Sequence, residues 1–82
     1  MAAPLAEIIA IVREVLGDGD LDLLPTTRFD DLANWDSMDL VAVVVEAECR
    51  YNLQFDLPDI DRLVTVGDLR HMIETKQALA MA

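Results

Sequence analysis

Apolar positions recur every three to four residues in separate stretches of the chain. In LAEIIAIVREVL, Leu5, Ile8, Ile9, Val12, Val15 and Leu16 follow the spacing of one helical face. This predicts a helix over 5–16, with Pro4 suited to a first helical position and Gly17 to a C-terminal stop. A second helix is predicted over 37–51, opened by Asp36 as N-cap with Asp39 three residues on. A third runs from 66 to about 77, with Leu69, Met72 and Ile73 inward. Thr65 and Asp68 have the spacing of a capping signature, and Val64 and Leu69 that of a hydrophobic staple. The short segment from Gln54 to Asp61, with Pro58, allows one helical turn.

Residues 17–36 are long for a loop in a small domain and carry Gly17, Gly19 and Pro25. Leu21, Leu23, Leu24, Phe29, Leu32 and Trp35 recur through them and read as anchors that pin the loop across the helices. No alternating strand pattern, repeat or linker interrupts the chain. The expectation is a single all-α domain over 1–82, a bundle of three main helices and one short one.

The helix predicted over 37–51 is apolar on two sides. At about 100° per residue, Leu40, Val43, Val44, Ala47 and Tyr51 gather on one side. Met38, Val41 and Val45 gather nearly opposite, with Ala42 nearby and acidic Asp39 and Glu48 beside them. One stripe suffices for a core. The other is either covered by the long loop or exposed as a contact surface.

Composition sharpens this. The 82 residues are 54% hydrophobic, which argues against disorder, but only 5% aromatic, so the core is aliphatic. The formal charge is −10, and all of it belongs to residues 17–61, where 12 acids face Arg28 and Arg50. Such acidity disfavours nucleic acid and anionic membrane surfaces and favours partners with basic patches. No apolar run approaches the roughly 20 residues that span a bilayer. One cysteine, Cys49, allows no internal disulfide, and the start of the chain lacks a basic lead-in, so a cytoplasmic protein is expected.

Most candidate chemistries fail on spacing. Asp18, Asp20 and Asp22 resemble the start of a calcium loop, but Leu23 and Phe29 stand where a Gly and a Glu are needed. His71 and Cys49 are single residues of their kinds, so no zinc set assembles. Ser37 and His71 lack the strand-to-helix elbow of a serine hydrolase. Cys49, within a helix, reads as a small hydrophobe. Ser37 itself begins the apolar helix, where unpaired N–H groups and the helix dipole suit a phosphate. Asp36 fills the cap, which leaves Ser37 for another role.

Trp35-Asp36-Ser37-Met38-Asp39, followed by an apolar helix with Glu46 and Glu48, resembles the acyl carrier proteins. Phe29-x-x-Leu32 upstream and Asp56 to Asp61 and Thr65 downstream extend the resemblance over nearly the whole chain. It implies a four-helix bundle with a 4′-phosphopantetheine arm on Ser37, placed there from coenzyme A by a phosphopantetheinyl transferase. The arm would carry acyl groups as thioesters, and the protein itself would do no bond chemistry. The resemblance also implies partner docking through Asp36, Met38, Asp39, Val41, Val45 and Glu48, by a carrier expected to be monomeric. Ala42, Cys49 and Arg50 depart from the acidic pattern of many fatty-acid carriers, which favours a dedicated pathway carrier over a housekeeping one. An aminoacyl carrier of the D-alanyl type, a peptidyl carrier and a non-carrier acidic adaptor remain alternatives.

Overall fold

The computed structural model describes residues 4–81. Four helices follow in order: α1 (Leu5–Leu16), α2 (Ser37–Tyr51), α3 (Leu57–Asp61) and α4 (Val66–Met81). A 3-10 turn, Phe29–Asp31, breaks the long first loop.

Local signals set most of the boundaries. Pro4 is the N-cap of α1, one position before the predicted one, and Gly17 closes the helix at φ 68°, a conformation that costs glycine little. Asn52 closes α2 at φ 53°. Thr65 and Asp68 form the expected reciprocal cap of α4, each side chain accepting the other's backbone N–H at 3.0 Å. That helix continues to Met81, past the predicted end near 77, because Ala78-Leu79-Ala80-Met81 are strong helix formers with no Gly or Pro among them.

The core is aliphatic. Ile8, Ile11 and Val12 of α1 meet Val43, Val44 and Ala47 of α2 and Leu69 and Ile73 of α4, all at 0–2% exposure. Ile11 was absent from the predicted face and Ile9 was on it; the structure buries Ile11 fully and leaves Ile9 half-buried. The face of α1 is rotated slightly because both α2 and α4 pack on it. Val64 stays 42% exposed and outside the core, whereas Leu69, its expected staple partner, is fully buried within it.

The long loop is held at the head of α4. Phe29 N–H donates to the Val64 carbonyl at 2.9 Å, and Val66 N–H to the Thr27 carbonyl at 3.0 Å. These bonds form an isolated antiparallel bridge between Arg28 and Thr65. Gly67 N–H donates to the Pro25 carbonyl at 2.8 Å, and a Cβ at Gly67 would sit 2.8 Å from that same oxygen. Leu23 and Phe29 are buried anchors, and Phe29 stacks on Trp35 with centroids 5.0 Å apart. Leu24 is not an anchor: it is 64% exposed, because its backbone N–H donates to Thr27 Oγ1 in a turn that faces solvent.

Val15 and Leu16 share a cleft with Asp39, so the end of α1 lies beside the start of α2. Asn52 and Leu53 share another with Leu79 and Ala80, so α2 and α4 end together. The helices α2 and α4 are therefore parallel and α1 runs against both. The heads of α2 and α4 thus lie at one end, together with the bridged loop.

Candidate functional site at the head of helix α2

The α2 head is a compact set of backbone bonds. Asp36 Oδ1 accepts the N–H groups of Met38 at 2.9 Å and Asp39 at 3.0 Å. Asp39 Oδ2 accepts the Asp36 N–H at 3.0 Å. Asp36 thus satisfies two of the donors that a helix start leaves open. Ser37 is the first helical residue, exposed, and its side chain is outside this cap. An exposed hydroxyl free of capping duty is open to esterification by an approaching phosphoryl donor. With Met38 and Asp39 N–H groups engaged, an attached phosphate would meet solvent more than a nest of donors.

The second apolar stripe is open. Met38, Val41 and Val45 are 72%, 46% and 49% exposed, so the long loop does not cover them. They follow one another at three- and four-residue spacing along a face that begins beside Ser37. Asp36 and Asp39 supply negative charge at its head.

Glu48 stands apart. It lies about 16 Å along the helix axis from Ser37, and its carboxylate accepts the Phe55 N–H at 2.8 Å. This bond fixes the segment entering α3, a duty that sequence spacing did not signal. Arg50 is also engaged: its guanidinium pairs with Glu46 at 2.9 Å and Glu14 at 2.5 Å, and these acids raise its pKa further. It therefore puts little unpaired positive charge on α2. Cys49 is exposed, contrary to its reading as a small hydrophobe, because Val44 and Ala47 take the inward positions around it. His71 lies exposed on α4. Among the described residues no three His, Cys, Asp or Glu side chains group as metal ligands, and no helix is long and apolar enough to cross a membrane.

The sequence model of the family described as "Phosphopantetheine attachment site" matches residues 6–73. The chain belongs to the acyl carrier protein family. The solution structure of holo acyl carrier protein from Geobacter metallireducens superposes with a TM-score of 0.84 at 30% identity, covering 94% of this chain and 88% of that one. The oxytetracycline acyl carrier protein superposes at 0.78 over 98% of this chain and 87% of that one; at 23% identity it speaks for the fold alone. An acyl carrier protein bears a covalently attached phosphopantetheine and is not itself catalytic. When bound, that group supplies a terminal thiol on which cargo is held as a thioester. Carriers of this family interact with a phosphopantetheinyl transferase and with biosynthetic enzymes.

Proposed function

We propose that the phosphopantetheine is attached to the Ser37 hydroxyl and that the chain presents acyl intermediates to enzymes of fatty-acid, polyketide or related biosynthesis. The observation that carries the attachment is the exposed, uncapped hydroxyl at the first position of α2. Ser37 is also the only serine of the sequence. Of the threonines, Thr27 and Thr65 have their hydroxyls engaged by the Leu24 and Asp68 N–H groups.

Docking falls to the face beginning at Ser37. Met38, Val41 and Val45 give its apolar centre, and Asp36 and Asp39 its charge; Glu48 adds charge at the far end while holding Phe55. Partners bear basic patches that the −10 charge attracts. We read the chain as one carrier domain over 1–82, monomeric and cytoplasmic. Ala42 at mid-helix and the paired Arg50 leave α2 less acidic than a general fatty-acid carrier, which favours a dedicated pathway.

Incubation with coenzyme A and a broad-specificity transferase tests the attachment by intact mass. The expected result is one added phosphopantetheine, absent in Ser37→Ala. An unchanged mass would leave the non-carrier adaptor as the better reading.

A further inference from the structure

Asp39, Ala42, Glu46 and Arg50 follow one another at three- and four-residue spacing and form one flank of the open stripe on α2. Arg50 ends this row and holds two acids with separate nitrogens. Its Nε donates to Glu46 Oε1 within α2, and its Nη2 to Glu14 Oε2 on α1. We infer that Arg50 is a specificity determinant of the docking face. By occupying Glu46 and Glu14 it leaves the Ser37 end as the charged end of this flank. The face then fits partners whose cations meet Asp36 and Asp39 while uncharged apolar surface covers the exposed Ala42, Val45 and Cys49. The inference rests on docking through this face.

The two ends of the row differ in what their carboxylates touch. Asp36 and Asp39 accept backbone N–H groups, neutral donors that leave the acids' charge in place. Glu48, on the opposite flank, likewise accepts the Phe55 N–H and keeps its charge. Glu46 and Glu14 instead share one guanidinium. A lone exposed ion pair is weak, but a guanidinium bonded to two carboxylates is a small network with more of its geometry fixed. Asp39 and Arg50 stand about 16 Å apart along the helix axis. That is twice the roughly 8 Å over which charge is screened at physiological salt, so Arg50 acts on the tail and leaves the field at the head almost intact. A partner cation aimed at Glu46 must displace Arg50 or lie against a like charge, and either makes docking costlier. A partner built for the head meets neither obstacle.

The test is a double-mutant cycle on loading by a broad-specificity transferase with coenzyme A, the fold of each variant being checked by circular dichroism. In the parent, Glu46→Gln should change kcat/KM for loading less than twofold. Arg50→Gln should raise it severalfold, and Glu46→Gln in that background should remove most of the gain. Arg70→Gln makes the same change in net charge and breaks the same kind of pair, with Glu74 on α4, and should fall short of that gain. If Arg50→Gln unfolds, Arg50→Lys replaces it: the charge is kept, the planar fork is lost, and loading should still exceed that of the parent. Equal gains from Arg50→Gln and Arg70→Gln, or an effect of Glu46→Gln that is the same in both backgrounds, overturn the role of Arg50. The docking face then stands if Asp39→Asn and Val41→Asp still slow loading, and falls with it if they do not.

Discussion

Asp36 and Asp39 close on each other: each carboxylate accepts the other's backbone N–H at 3.0 Å. The acids flanking Ser37 therefore carry structure and charge together, and the two duties are separable by substitution. Asp36→Ala removes the acceptor for two N–H groups and should cost about 1 kcal/mol, read as a lower midpoint in urea. Asp39→Asn keeps an acceptor and deletes the charge. Its stability should stay within about 0.5 kcal/mol of the parent, while kcat/KM for transferase loading falls severalfold and the fall shrinks in high salt. Parental loading by Asp39→Asn would show that its charge takes no part in docking.

Val41 is 46% exposed in the middle of the open stripe. Val41→Asp should leave thermal unfolding nearly unchanged, since surface substitutions usually stay within about 0.5 kcal/mol. Loading and partner turnover should drop, because a buried carboxylate in a docked complex is costly unless paired. The check is circular dichroism alongside the loading rate. Normal rates in a folded variant would remove the stripe from the docking surface.

Gly67 sets two magnitudes against each other. Within a helix, Gly→Ala gains up to about 1 kcal/mol in propensity. Here the added Cβ would lie 2.8 Å from the Pro25 carbonyl oxygen, a backbone atom that moves only with the loop. Overpacking of this kind costs about 1–3 kcal/mol and should win. Gly67→Ala is expected to lower Tm by several degrees, since 1 kcal/mol corresponds to about 4–8 °C for a domain of this size. The Phe29 and Val66 amides, which join the loop to α4, should lose hydrogen-exchange protection with it. A raised Tm would mean that the loop yields freely.

What the sequence made legible was local. Asp36 with Asp39, Thr65 with Asp68, and Gly17 each mark a helix end through bonds within four residues, and all three are found. The second apolar stripe of α2 was legible from spacing alone, but whether the long loop covers it took the fold, which leaves Met38, Val41 and Val45 exposed. The misses depend on distant partners. Ile11 outranks Ile9 because α4 joins α2 on that face. Glu48 looked like surface charge, and its bond to Phe55 spans seven residues across a turn. For the site, Ser37 stood out through a motif of five consecutive residues, Trp35 to Asp39.

Asp59 gives the fold a pH-dependent contact whose sign can be worked out. Its carboxylate takes Lys76 Nζ at 2.8 Å and the Asp56 N–H at 3.0 Å, and the lysine holds its pKa below the usual 3.8. Lys76 also lies over the Phe55 ring at 5.6 Å, so the pair ties α4 to the α3 entry. A carboxyl whose folded pKa is depressed contributes stability above its unfolded pKa and loses it as pH falls through the folded value. The rest of the molecule acts oppositely: with a formal charge of −10, mild acidification relieves self-repulsion. The bare pH profile therefore mixes both effects, and the informative quantity is a difference. Asp59→Asn retains the acceptor for Asp56 N–H and removes the ion pair. The parent should be more stable than this variant at pH 7, and the gap should hold down to about pH 4 and close below it. Thermal melts of both proteins at stepped pH measure it. A gap that is constant from pH 7 to pH 2, or that widens in acid, would show that the ionised Asp59 does not stabilise the fold.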